Sequence, residues 1–272
     1  MAESVGEEAQ QPSWAELIRS AAGRVAPPVV AEEFVGGLDT ASKPQKFRCD
    51  DGRLYAVKFR NNPQGDGRAI VAEHVVGLLG SLVGAPVAEV RLVRVTSELL
   101  AALNIVFNGG EPAAAGVHHG SCWADGYSDR LGIEPRYADE NRQAFAALHI
   151  MYSWLHCAGD HQFIYRNAKP HEVLSVDHSY FLPDGNGWSA QRLRERQDQV
   201  ELDPFFDSLA LKDEEATDAL DRLATLQHAE IARVVATPPD EWGLSEDDRV
   251  ALAEYAQARR MRLLKHFGRE AR

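Results

Sequence analysis

The chain has 272 residues, of which 44% are hydrophobic and 26% charged, and its 41 Asp and Glu against 29 Lys and Arg give a net charge of −12. That length suits one large domain or two small ones, and the composition supplies a sizeable core. The acidic balance argues against direct nucleic-acid binding, which relies on clustered Lys and Arg to displace counterions from phosphates, but leaves room for a locally basic nucleotide pocket.

The first dozen residues, MAESVGEEAQQP, lack the basic and apolar regions of a signal peptide. The longest uncharged apolar stretch, Val75–Ala88, is broken by Gly and Pro and is shorter than the ~18 residues of a membrane helix. Cys49, Cys122 and Cys157 are few, odd in number and far apart, so no disulfide framework or CxxC metal site is implied. A cytoplasmic protein with no membrane partner is expected.

Residues 1–28 read as a polar tail and a short helix. Ser13 opens a Ser-x-x-Glu capping box, the helix runs from Trp14 to about Gly23, and Pro27-Pro28 ends it. Residues 29–107 read as a small β-rich lobe. Asp51-Gly52 is a hairpin signal between strands at Gln45–Cys49 and Arg53–Phe59. A helix spans Arg68–Gly84, with Ile70, Val75, Val76, Leu79 and Val83 at helical spacing, and Ala88–Val95 is a further strand. Residues 108–272 read as a mostly helical lobe. It begins with a Gly-rich connector, NGGEPAAAGVHHGSCW, and continues with helices at Asn141–His156, Asp213–Ala236 and Ser245–Phe267. The fold class is α+β.

Four residues carry candidate chemistry. In YAVKF, strand alternation puts Ala56 and Lys58 on one face, so a small side chain leaves room for a flat base while an ammonium reaches toward phosphates. Glu73 lies among core-like residues of the next helix and needs a partner, which Lys58 can supply. Asp160, after a helix end, and Asp177, after the apolar run VLSV, are two turn carboxylates that can divide the work of orienting a hydroxyl and ligating Mg²⁺. Singly, each has an ordinary structural explanation, as a surface Lys, a solvated helix charge or a turn Asp.

Their order, a strand A-x-K, a helix Glu, a loop Asp and a post-strand Asp, resembles a protein-kinase-like fold. The segments DGRLYAVKFRNNPQG, AEHVVGLLGSLVGAPVAEVRLV, WLHCAGDH, SVDHSYFLP and PPDEW look like the HipA-like kinase family over about residues 30–265. The resemblance implies a bilobal fold that binds Mg–ATP and transfers the γ-phosphate to a Ser/Thr hydroxyl of an unknown protein or small-molecule acceptor. It implies that Lys58 contacts the α/β-phosphates and Glu73 is its ion-pair partner. Asp160 becomes the catalytic-loop Asp that accepts the acceptor's hydroxyl proton or orients it, with His161 beside it in the catalytic set, and Asp177 the metal ligand. The loop Gly36–Lys46 would cover the phosphates, with Ser42, Lys43 and Gln45 nearest the nucleotide. Lys43 and Arg60 would join Lys58 in offsetting the chain's acidity there.

The loop GDHQFIYRN departs from the family pattern, with Ile164 where the metal-binding Asn is expected and Asn167 as the nearby substitute. A nucleotide-binding pseudokinase is therefore the alternative. A further reading is a metal-dependent hydrolase built from His118, His119, His149, His156, His161, His171 and His178, although neither HxxxH nor HExxH spacing occurs. A third is an interaction module acting through the acidic C-terminal helices.

Overall fold

A computed structural model describes residues 11–40, 42–62, 67–107, 109–131, 134–156 and 161–272. The chain is α+β. In order, it forms α1 (Trp14–Ala22), β1 (Val29–Gly37), β2 (Gln45–Cys49), β3 (Leu54–Lys58), α2 (Gly67–Leu82), β4 (Val90–Val95), α3 (Ser97–Ala101), β5 (Gly116–Cys122) and β6 (Tyr127–Ser128). There follow α4 (Arg142–Leu155), β7 (Phe163–Arg166), β8 (Val173–Ser175), α5 (Ala190–Arg196), α6 (Thr217–Thr225), α7 (His228–Val235) and α8 (Glu246–His266). Among the described residues no helix is long and apolar enough to cross a membrane.

Five strands close a barrel in the order β1-β2-β3-β5-β4. The β2–β3 hairpin forms at the Asp51-Gly52 signal. Gly52 takes the left-handed φ of 78° that the turn requires, and the Asp51 carboxylate accepts from Arg53 N–H at 3.0 Å and Tyr55 OH at 2.7 Å. Val57 and Phe59 then turn inward to join Phe47, Tyr55, Val93 and Phe107 in the barrel core. Each such burial contributes about 1.5–3 kcal/mol, which fixes the register and leaves Ala56 and Lys58 on the opposite face.

Three features of the sequence reading change. The Gly-rich connector contains β5, so the barrel extends past residue 107. VHHGSC lacks the apolar alternation of a half-exposed strand, because His118 and His119 are buried on it. The helix expected over Asp213–Ala236 is two, α6 and α7. Leu226 and Gln227 are extended between them, and Gln227 N–H is capped by Glu230 at 2.9 Å, a restart marked by neither Gly nor Pro. The later segment also carries a small β6-β7-β8 sheet, and α5 begins at a Ser189 cap that the sequence reading passed over.

The helical core surrounds α4, which is buried from Phe145 to Leu155 except for a half-buried His149. α1 joins this core through Ile18 and through Trp14, whose ring meets His228 edge-on at 4.9 Å. Two contacts tie it to the barrel side. Ser175 N–H donates to Pro86 O at 2.8 Å and Ala88 N–H to Ser175 O at 3.3 Å, so β8 is held beside the α2–β4 link. From PPDEW, Glu241 accepts Val117 N–H and Trp242 Nε1–H donates to Val117 O, both at 2.8 Å, gripping the backbone of β5.

Helix α2 lies between β4 and α4 and is buried from Ala69 to Gly77. Gly77 permits the approach, since a Cβ there would sit 2.6 Å from Val90 Cγ2, a branched strand side chain with little room to yield. Gly77→Ala is therefore expected to lower the unfolding free energy by about 1–3 kcal/mol in urea titration, despite alanine's better helix propensity. Unchanged or higher stability would contradict this packing.

Candidate functional site

Three elements converge on one ammonium group. β3 ends at Lys58, whose Nζ donates to Glu73 Oε2 on α2 at 2.8 Å and to Asp177 Oδ1, just past β8, at 2.7 Å. The Glu73 side chain is 2% exposed, Lys58 14% and Asp177 28%, so the group grades from sealed to open. Asp177 adopts a left-handed φ of 59°, a conformation Asp tolerates better than most residues, and its Oδ1 also accepts from Ser179 Oγ at 2.9 Å.

Burial and charge act differently on the three. Burial would discharge Lys58, but Glu73 and Asp177 outweigh it and raise the pKa, so the ammonium stays charged. Burial dominates at Glu73 and pushes its carboxyl up to about 7 against the pull of Lys58. Burial also works against the Asp177 anion, but Lys58 and the Ser179 hydroxyl prevail and hold it at about 2. The partners diverge because Glu73 is sealed whereas Asp177 keeps solvent contact and a second donor.

A cavity of about 1050 Å³ opens beside this group. Thr40, Ser42, Ala56 and Ser121 line it from the barrel side, and Gln162, Phe163 and Val176 from the side of the small sheet. Its charged lining comprises Lys58 and Arg130 against Glu73, Asp129 and Asp177. Of the loop residues expected nearest a nucleotide, Ser42 lines the cavity. Lys43 and Gln45 do not; they brace the loop, with Lys43 at φ 40° and its carbonyl accepting from Gln45 Nε2 at 2.7 Å. Arg60 is also absent from the lining and has its Nε 3.8 Å from Glu241.

Asp160 lies outside the described residues. His161 lines the cavity, and its Nε2 faces the Asp203 carboxylate at 3.0 and 3.1 Å. Asn167 lines the same cavity but is not brought to Asp177. In the β7–β8 register Phe163 faces Ser175 and Tyr165 faces Val173, so Asn167 and Asp177 extend from opposite ends of the hairpin. At ~3.3 Å per residue they are on the order of 15–20 Å apart along the strands. Asn167 Oδ1 instead accepts from Ser128 Oγ at 2.6 Å. The amide-bearing residue beside Asp177 is Gln162, whose carbonyl accepts Val176 N–H at 3.1 Å. Sequence reasoning missed it because only the pairing of two segments ten or more residues apart reveals the adjacency.

The other histidines have separate occupations. His74 and His119 meet Nδ1 to Nδ1 at 3.3 Å, and His119 Nε2 is 3.0 Å from Ser121 Oγ. His118 Nδ1 accepts Arg60 N–H at 3.2 Å, and His178 Nε2 is 3.0 Å from Ser175 Oγ. His149 stacks on Phe206, His171 Nδ1 lies 2.9 Å from Arg166 O, and His156 ends α4 at φ 63°. Burial lowers His74 and His178 to about 3 and His118 to about 4, and His119 also falls well below its ordinary value, so all four are neutral at pH 7. Among the described residues no three His, Cys, Asp or Glu side chains gather into a metal-holding group.

No family model and no curated protein sequence matches the chain. Solved structures do. The Helicobacter pylori proinflammatory kinase CtkA matches at 12% identity over 88% of this chain and 99% of that one, with a TM-score of 0.49. The Golgi casein kinase with Mn/ADP bound matches at 11% identity over 94% and 74%, with a TM-score of 0.35. HipA, from the Shewanella oneidensis MR-1 HipA–HipB–operator DNA complex, matches at 12% identity over 97% and 73%, with a TM-score of 0.39. The first two of these proteins are kinases.

The protonation of Glu73 has a measurable consequence. A carboxyl whose folded pKa of about 7 exceeds its unfolded value contributes stability that is full below about 4.5 and is lost as pH rises through 7. The buried histidines act in the opposite sense, but they are common to wild type and Glu73→Gln. The melting-temperature difference between the two proteins should therefore move in the variant's favour from pH 5 to pH 8. Parallel curves across that range would contradict the assignment.

Proposed function

We propose that this chain is a two-lobed, HipA-like kinase that binds ATP with Mg²⁺ and transfers the γ-phosphate to a Ser/Thr hydroxyl. The observation that carries this reading is the sharing of Lys58 between Glu73 and Asp177 at the edge of a 1050 Å³ cavity. Phosphoryl transfer depends on positioning and charge neutralisation more than on covalent chemistry, and this group supplies both. Lys58 engages the α/β-phosphates while Glu73 keeps it charged and aimed. Asp177, with Gln162 adjacent, presents the hard oxygen donors that suit Mg²⁺, which is usually held by one or two carboxylates plus phosphate oxygens. When bound, the metal neutralises phosphate charge, a role this acidic lining needs filled. Thr40 and Ser42 bring hydroxyls from the β1–β2 loop to the phosphates.

Binding then amounts to an exchange. Lys58 would keep Glu73 and take a phosphate oxygen in place of Asp177, whose carboxylate would then be available to hold Mg²⁺. Nucleotide affinity should accordingly require the divalent ion. Binding without transfer is the second reading, and the separation of Asn167 from Asp177 across the cavity favours it. The acceptor is a protein or small molecule bearing a hydroxyl.

Saturating Mg–ATP, at about 100 times Kd, should stabilise the fold by ~2.7 kcal/mol, raising Tm by about 5–10 °C. Asp177→Ala or EDTA should remove most of that shift. Label from γ-³²P-ATP should reach protein or added hydroxyl substrates, and Asp160→Asn should abolish its transfer. No thermal shift at millimolar Mg–ATP contradicts both readings, whereas a shift without transfer selects the non-transferring one.

A further inference from the structure

Asp203 had no place in the sequence reading, yet the fold gives it three simultaneous tasks. It is buried, and its main-chain N–H donates to Ser153 Oγ on α4 at 3.1 Å. Its Oδ1 caps Phe205 N–H at 3.0 Å, which fixes the carboxylate plane. Both of its carboxylate oxygens lie within 3.1 Å of His161 Nε2.

The His161 ring is clamped as firmly as its partner. It stacks on Tyr152 with centroids 5.1 Å apart and planes 10° apart, and on Phe205 at 4.3 Å and 17°. Arg136 sits 4.5 Å over the far face of Phe205, and Tyr152 OH is 2.8 Å from Ser175 Oγ. Both faces of the imidazole are thus covered, leaving only its edge for chemistry. One step beyond the Val176–Gln162 hydrogen bond, the hairpin register brings His161 level with Asp177, and both residues line the cavity.

A carboxylate can only accept, so it selects the ring tautomer that carries hydrogen on Nε2 and leaves Nδ1 as the acceptor. We propose that Asp203 is the positioning residue for His161, and that His161 Nδ1 takes the proton of the acceptor hydroxyl during transfer. This rests on the phosphotransferase reading and gives that site its proton acceptor. The hydroxyl oxygen forms a bond to the γ-phosphorus, and the bond from that phosphorus to the β–γ bridging oxygen breaks. ADP leaves with the electron pair, the hydroxyl proton moves to Nδ1, and Asp203 balances the imidazolium. The buried Asp–His pair stabilises charge as it develops, the same logic by which an acid orients a base in other group-transfer sites.

The substitution Asp203→Asn separates this role from simple packing. The amide oxygen can keep the Phe205 cap, which turns the NH₂ toward Nε2 and forces the hydrogen onto Nδ1. With ¹⁵N-histidine labelling, His161 should be the Nε2–H tautomer in the wild type and the Nδ1–H tautomer in the variant. Transfer from Mg–ATP to a hydroxyl acceptor, or to water, should fall about 10²–10⁴-fold in kcat, with KM for ATP unchanged within twofold. His161→Gln should match that loss while keeping the Mg–ATP thermal shift. An Nδ1–H ring in the wild type, or wild-type kcat in Asp203→Asn, overturns the proposal. So does a wild type that binds Mg–ATP yet transfers to no acceptor, although its binding site would stand. Absence of the thermal shift, in contrast, removes the nucleotide reading itself and leaves the tautomer measurement to decide whether Asp203 orients the ring.

Discussion

One buried ammonium organises the centre of this protein. Withdrawing Lys58 from water costs several kcal/mol, and that cost is offset only because two carboxylates reach it within 2.8 Å. Each carboxylate comes from a different part of the chain, so the pair constrains the fold as much as the chemistry. Strand β3 must alternate so that Val57 enters the barrel core and Lys58 leaves it. Helix α2 must be buried on enough sides to seal Glu73. β8 must end where a left-handed turn can aim Asp177 back at the strand.

The same group underlies the proposed nucleotide chemistry. One ammonium between two carboxylates carries an excess negative charge, a poor match for phosphate alone and a good match for phosphate with a divalent cation. The chain's overall acidity is thus reproduced inside the cavity, where Lys58 and Arg130 face Glu73, Asp129 and Asp177. Lys43 and Arg60 do not relieve it, since one belongs to a braced loop and the other lies against Glu241. Positioning therefore falls to backbone contacts that cross between the barrel and the helical core. Pro86 and Ala88 clasp Ser175 two residues before Asp177, and Glu241 and Trp242 clasp Val117 on the strand beside β3.

The sequence exposed those parts of this arrangement that depend on local patterns. The Asp-Gly turn, the A-x-K alternation, the capping boxes at Ser13 and Ser245 and the periodicity of α2 and α4 each reflect neighbours a few residues apart. They led directly to Lys58, Glu73 and Asp177. What escaped was non-local. β5 reads as a connector because its buried residues include two histidines, whose partners, His74 on α2 and Arg60 after β3, are far away in sequence. The α6–α7 break lacks Gly or Pro and rests on a Gln227–Glu230 cap. Asn167 lies close to Asp177 by residue count, but strand register carries it to the opposite end of a hairpin. Gln162 and Asp203 became visible only when separate segments came together.

The central claim is that Lys58 exchanges Asp177 for phosphate while keeping Glu73. A crystal structure with Mg²⁺ and a non-hydrolysable ATP analogue tests it most directly. The account predicts Lys58 Nζ on an α- or β-phosphate oxygen and still on Glu73, with Asp177 turned to the metal. A nucleotide bound elsewhere, or phosphates in the cavity with the Lys58–Asp177 pair intact, would contradict it.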